Sequence, residues 1–326
     1  MPIDWRPFVE LVKQHNSFVL TSHMRPDCDA IGSELALAAA LRSIGKQVHV
    51  VNGDPVPPHI AFIDPRKEVE VLGRDIIAAD VRPDVFIICD TSAWGQLGPM
   101  ADIIRDSAAQ KVVIDHHVSQ DDLGAVTFKD STAEATGRLV LAACDALGAP
   151  ITPDMASALF AAIATDTGWF RFSSVTPLTF AAVGRLVHSG ANPTRIFAAL
   201  YERNSLARLH LQGRILQDAK REFDNRLIYS TATQTDLTET GAEATDPEDI
   251  INRLLGVTGV EVGLLFLELG PDETKVSLRS RTSIDVSKIA EQFGGGGHAA
   301  ASGVRFPGPL DKALPAIVAA VGKALD

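Results

Sequence analysis

Ser17-Phe18-Val19-Leu20-Thr21-Ser22-His23-Met24-Arg25-Pro26-Asp27-Cys28-Asp29-Ala30-Ile31-Gly32-Ser33 is the stretch on which the reading of this chain turns. Residues 17–20 read as a strand and 31–44 as a helix, so an imidazole and two carboxylates fall where a strand hands over to a helix. In open α/β sheets, ligands bind in the crevice at the carboxyl ends of the strands. Asp27 and Asp29 are two apart, and in an extended loop that spacing lets both side chains face one cleft.

The next strand is expected over 48–51. Val85-Phe86-Ile87-Ile88-Cys89 and Val112-Val113-Ile114 are continuous apolar runs of the kind found in sheets covered on both faces. Helices are expected over 134–147, 154–164 and 177–189. Strand and helix alternating in this way imply an α/β fold with a parallel sheet and right-handed crossovers. Asn192-Pro193, a cap and first-turn pair, opens a charged helical region that runs to about Phe223 and reads as a connector. Beyond it, longer strands are expected over 227–233, 260–269 and 275–281, with a helix over 246–255 and a final helix over 310–325. The expected organisation is a parallel-sheet catalytic domain over 1–190, a helical linker over 191–225, and a smaller α/β domain with a mixed sheet over 226–326.

Composition narrows the function. Of 326 residues, 46% are hydrophobic and 22% charged, so the chain can bury true cores. Lys and Arg number 30 against 41 Asp and Glu, a net charge of −11. That balance argues against long duplex nucleic acid, whose binding rests on many Lys and Arg contacts to phosphate; a small polyanion held through metal ions is still compatible with it. Three cysteines without a CxxC spacing support neither a disulfide framework nor a cysteine zinc site. The N-terminus lacks the basic-then-apolar order of a signal peptide. The uncharged stretch 172–184 falls short of the roughly 18 residues a membrane helix needs. A cytoplasmic protein with no membrane partner is expected.

Two later strands end as the first one does. The 85–89 run is followed by Asp90, the 112–114 run by Asp115-His116-His117, and an Ala-rich helix leads into Asp166-Thr167-Gly168. Each taken singly has an ordinary explanation: an Asp after a strand is commonly a helix cap or turn former, and many histidines are structural. Together, several carboxylates and two imidazoles at one sheet edge repel each other unless cations neutralise them. Mixed His and Asp ligands without cysteine suit Mn²⁺, Mg²⁺, Zn²⁺ or Fe²⁺; the carboxylate excess favours the harder ions, and the ligand count is too high for one tetrahedral zinc with an open position. Two divalent ions about 3.5–4 Å apart would use the whole set, activating a bridging water against a phosphoryl group. Phosphoester hydrolysis is the expected reaction.

The C-terminal part adds Phe293-Gly294-Gly295-Gly296-Gly297-His298, four glycines where the backbone is expected to approach something closely. Free N–H groups in such a run can form an anion-binding concavity, although a flexible turn is the commoner outcome. In the preceding strand, Lys275, Ser277, Arg279 and Arg281 share one face at period two. Arg279 and Arg281, nearest the glycines, are candidates for a phosphate fork.

These residues resemble the DHH phosphoesterases. His23-x-x-x-Asp27-x-Asp29, Asp90, Asp115-His116-His117 and Asp166 look like that family's motifs in their usual order, and the Arg279 strand with 294–303 looks like the DHHA1 domain that follows them. Within the family the chain is most similar to NrnA-type proteins, bifunctional nanoRNases and phosphatases of 3′-phosphoadenosine 5′-phosphate (pAp). The resemblance implies one metal site from His23, Asp27 and Asp90, and a second from Asp29, Asp90, His116 and Asp166, with Asp90 bridging. It implies that Asp115 orients His116 and that His117 faces the scissile phosphate. Arg279, Gly296, Gly297 and His298, with Arg281 beside them, would hold the substrate. A homodimer is the default among soluble homo-oligomers, and similar family members are often dimeric. Cleavage of c-di-AMP or pApA is the alternative activity. The segment SLRSRTS argues against a pyrophosphatase, the small acidic chain against a RecJ-type exonuclease, and the full ligand set against a non-catalytic sensor.

Overall fold

The computed structural model describes residues 3–244, 247 and 250–325. They form two compact units, Met1–Arg203 and Asn204–Asp326.

The first unit contains α1 (Arg6–Gln14), β1 (Ser17–Thr21), α2 (Cys28–Ser43), β2 (Gln47–Asn52), β3 (Val69–Val71), β4 (Val85–Cys89), α3 (Met100–Asp106), β5 (Gln110–Asp115) and β6 (Val126–Lys129). Four helices follow: α4 (Thr136–Leu147), α5 (Pro153–Asp166), α6 (Pro177–His188) and α7 (Pro193–Tyr201). The six strands run parallel in the order β3-β2-β1-β4-β5-β6. The order reverses between β1 and β4, which puts the ligand crevice of such a sheet at their C-terminal ends.

Burial explains why β4 is apolar throughout. Val85, Ile87 and Cys89 join the core beneath α2, α4 and α5, while Phe86 and Ile88 join the core beneath α3. Each large side chain buried there contributes roughly 1.5–3 kcal/mol. Helix α2 begins at Cys28, before the expected 31, because Asp27 caps it by accepting from the N–H groups of Asp29 and Ala30. α2 leaves the sheet edge and α5 returns to it. Their backbones come so close that a Cβ at Gly32 would lie 2.5 Å from the Ala158 carbonyl oxygen.

The second unit contains α8 (Leu206–Gln217), β7 (Lys220–Glu222), β8 (Leu227–Ala232), α9 (Gln234–Thr240), α10 (Ile250–Leu255), β9 (Val262–Gly270), β10 (Glu273–Ser280), α11 (Val286–Glu291), β11 (Gly296–His298), β12 (Ala301–Phe306) and α12 (Leu310–Leu325). Its sheet, ordered β11-β12-β10-β9-β8-β7, is mixed, with β8 and β9 parallel and the other pairs antiparallel. The helix expected over 246–255 corresponds to α10, and residues 246, 248 and 249 lie outside the described residues.

The stretch 191–225 is divided between the units: Ile196 of α7 is buried in the first core, and Leu211 and Ile215 of α8 are buried with Ala232 and Leu265 in the second. Among the described residues, no helix is long and apolar enough to cross a membrane.

Candidate metal centre

His23 sits on a loop whose backbone is tied at three points. Ser22 N–H donates to Asn52 Oδ1 (3.0 Å), Met24 N–H to the Gln96 carbonyl (2.7 Å) and Arg25 N–H to Asp54 Oδ2 (2.7 Å). With Nδ1 3.0 Å from the Met24 carbonyl, the imidazole brings Nε2 to 3.4 Å from Asp90 Oδ2. Asp27 does two things at once: Oδ1 caps α2, and a carboxylate oxygen lies within 4.8 Å of ligand atoms of His23 and Asp90.

Asp90 is 2% exposed and takes a left-handed backbone (φ 61°) where β4 ends. An aspartate tolerates that region better than most residues, and such strain clusters at functional sites. Its Oδ1 accepts from the Thr136 hydroxyl at 2.9 Å. His116 Nε2 lies 3.6 Å from that oxygen, 3.8 Å from Asp29 Oδ2 and 3.3 Å from Asp166 Oδ2. Three groups capable of holding a metal ion result: His23, Asp27 and Asp90; Asp29, His116 and Asp166; and Asp90, His116 and His117. All six ligand candidates from the sequence are therefore together, with Asp90 in two of the groups.

The expectation that Asp115 orients His116 is corrected. His116 places Nδ1 3.2 Å from the Ala133 carbonyl, whereas Asp115 Oδ1 accepts from the His117 N–H (3.1 Å) and meets His117 Nδ1 at 2.8 Å. The turn after β5 leaves His117, two residues on, folded back over the carboxylate. Asp115 is fully buried and also takes Ser92 Oγ at 2.7 Å and Lys129 Nζ at 3.1 Å. Burial alone would raise its carboxyl, but the bonds from His117, Ser92 and Lys129 outweigh it and hold the group well below the usual range. The same bond raises the His117 imidazole above its ordinary value.

The other carboxylates shift the opposite way. Burial, then the charges of Asp90, Asp166 and Asp27, push Asp29 well above the usual range. Burial and Asp27 do the same to Asp90, and burial raises Asp166. Clustered acids that resist ionising alone are the environment a divalent cation stabilises, and the all-oxygen and imidazole donor set suits a hard ion. Cys28 adds no thiolate, since burial pushes it up to about 12.

The sequence reading missed the cradle of Asp29. Thr136 N–H donates to its Oδ2 and Gly137 N–H to its Oδ1, both at 2.7 Å, so the carboxylate sits on the N-terminus of α4. A Cβ at Gly137 would lie 2.8 Å from that of Ala162. Thr-Gly opening an apolar helix was the available signal.

In the second unit, Arg279 is paired with Ala301 on β10 and β12, and His298 with the same Ala301 from β11. Directly opposite residues share a face, so Arg279 and His298 stand in one row across three strands. Arg281 lies just past β10 and is exposed. The glycines are accounted for by the hairpin itself. A Cβ at Gly295 would lie 2.3 Å from the Gly303 carbonyl oxygen, and one at Gly297 (φ 142°) 2.6 Å from that of Ala301. Gly296 faces open space.

Residues 17–163 match the DHH family N-terminal domain, and residues 224–326 match the DHHA1 domain. A Thermus thermophilus protein named bifunctional oligoribonuclease and PAP phosphatase NrnA is 28% identical over 94% of this chain and 89% of its own. The Bacillus subtilis protein of that name is 24% identical over 90% and 91%. The crystal structure of an exopolyphosphatase-related protein from Bacteroides fragilis superposes with a TM-score of 0.86 at 26% identity, covering 97% of this chain and 95% of that one. Exonuclease RecJ bound to manganese shares the fold, with a TM-score of 0.55 at 14% identity over 100% and 95%. With both domains matched in order, the chain belongs to the DHH phosphoesterase family, in its DHHA1-bearing form.

Proposed function

We propose that this protein hydrolyses short oligoribonucleotides to nucleoside monophosphates and removes the 3′-phosphate of pAp. The observation that carries this is the pair of ligand groups, His23, Asp27, Asp90 and Asp29, His116, Asp166, joined through Asp90 by its approach to His116. The names of the Thermus and Bacillus relatives supply the substrate class.

Two divalent ions held there, Mn²⁺ by preference and Mg²⁺ next, would neutralise the phosphoryl group under attack and supply a nucleophile from water. The chain's own residues do the rest. Asp115 holds His117 by Nδ1, which leaves Nε2 free and raises the imidazole so that it can donate a proton to the leaving oxygen. Thr136 and Gly137 keep Asp90 and Asp29 facing the crevice. Arg279 and His298, in their common row, would hold a terminal phosphate or nucleotide, with Gly296, Gly297 and Arg281 at its margin. A cytoplasmic location and a homodimer are part of the same proposal.

The test is a substrate comparison with added Mn²⁺: di- to pentaribonucleotides, a 24-mer, pAp, pApA, c-di-AMP and pyrophosphate. Fast turnover of the short RNAs and pAp is expected. Preference for the 24-mer or for pyrophosphate would overturn the proposal, and preference for c-di-AMP or pApA would reassign the substrate.

A further inference from the structure

Among the described residues, one fully buried carboxyl in the first unit belongs neither to the ligand groups nor to the pairing with His117 that occupies Asp115. Glu34, two turns into α2, is 0% exposed. Its Oε2 accepts from Asn52 Nδ2 at 2.9 Å, and its Oε1 is buried without a hydrogen-bond partner. Taking a carboxyl out of water is costly, and burial pushes this one up to about 8, so it is the neutral acid at pH 7. A leucine would fill the space without that cost. What the carboxyl adds is direction.

Asn52 ends β2, is itself 0% exposed, and turns its amide two ways. Its Oδ1 accepts from the Ser22 N–H at 3.0 Å and the Thr21 hydroxyl at 3.2 Å. The register of β1 with β2 stops at Leu20 and Val50, so beyond that point the Asn52 side chain replaces the ladder. The Ser22 N–H requires an acceptor, and an amide offers one only with its oxygen turned that way. Glu34, accepting from Nδ2, fixes that orientation. Ser22 is the residue before His23, whose Nε2 must stay 3.4 Å from Asp90.

We propose that Glu34 is a positioning residue for the His23 side of the metal centre, acting through the Asn52 amide on the backbone at Ser22. This rests on the reading of His23, Asp27 and Asp90 as metal ligands, and the experiment separates the two. EDTA-stripped wild type, E34L, E34Q, N52A and H23A are equilibrated by dialysis against Mn²⁺, and thermal transitions are recorded without metal. Wild type binds two ions. E34L weakens one of them at least about tenfold, as loss of a supporting hydrogen bond to a ligand does, with a titration like that of H23A. E34Q, which keeps an acceptor for Asn52 Nδ2, stays within about twofold of wild type. N52A leaves Glu34 in place, removes the link together with the acceptor of the Ser22 N–H and the Thr21 hydroxyl, and reproduces the E34L titration; it carries the test of the relay if E34L does not fold. Wild-type affinity for both ions in E34L or N52A, at any thermal midpoint, overturns the inference and leaves the metal reading intact. A wild type that binds no Mn²⁺ overturns both.

Discussion

Asp29 Oδ1 accepts from the backbone N–H of Gly137 at 2.7 Å, so a carboxylate from the first turn of α2 is seated on the first turn of α4. The donor comes from 108 positions along the chain, and its neighbour Thr136 supplies a second. Two N–H groups at a helix N-terminus offset part of the cost of burying a side chain that is 1% exposed.

Gly137→Ala is predicted to break this seat. The new Cβ would lie 2.8 Å from Ala162 Cβ and 3.3 Å from Asp29 Oδ1, and neither neighbour can retreat from packed helices. Urea unfolding should show a loss of about 1–3 kcal/mol, the usual cost of overpacking. Mn²⁺ dialysis should show the ion that we propose for Asp29, His116 and Asp166 weakened about tenfold or more.

Asp90→Asn separates stability from function. Without metal, Asp90 is a buried carboxyl set against other acids, raised by burial and by Asp27. The amide removes that cost, so the EDTA-treated variant should melt above EDTA-treated wild type. Added Mn²⁺ should raise the wild-type midpoint and leave the variant nearly unchanged, while hydrolysis of a dinucleotide falls by roughly a hundredfold or more.

Glu34 makes metal-free stability depend on pH. Its folded value, about 8, lies above the ordinary 4.5, so between these limits the folded state keeps a proton that the unfolded state has lost. Its contribution is complete below about pH 4.5 and fades as pH rises towards 8. E34Q cannot titrate. The difference in unfolding free energy, E34Q minus wild type, should therefore grow from pH 5 to pH 8, and a flat difference would show that Glu34 is already ionised in the fold.

Lys129→Met tests the charge balance at Asp115. The ammonium lies 3.1 Å from Asp115 Oδ2 and 2.6 Å from the Ser119 carbonyl, with a side chain 12% exposed. Removing one partner of a nearly buried pair should cost about 2–4 kcal/mol in urea unfolding. The freed Asp115 should then hold the His117 proton more tightly, because a nearby cation no longer opposes the imidazolium. The alkaline limb of the pH–rate profile should move to higher pH.

Much of the first unit was legible because its signals are local. Val85 to Cys89 is apolar at every position, and each of those residues proved buried between two cores. The strands missed, Val69–Val71 and Val126–Lys129, are short edge strands carrying Glu70, Thr127 and Lys129, too brief and polar for a periodic pattern. The six ligand candidates were legible for a related reason: acids and imidazoles placed directly after apolar strands, or after an Ala-rich helix, stand out against their own neighbours.

The chain's order of residue types determined the α/β class, the parallel sheet and the list of ligand candidates, since hydrophobic period and strand-end chemistry are written in adjacent positions. Only the tertiary structure decided that Asp115 serves His117, that Gly137 seats Asp29, and that Glu34 turns Asn52 toward Ser22. Two of these three contacts join residues far apart in the chain, and all of them depend on how α2 and α4 settle on the sheet or how the chain turns as it leaves it. A shift of one residue in that packing would leave the local patterns unchanged and undo every one of them.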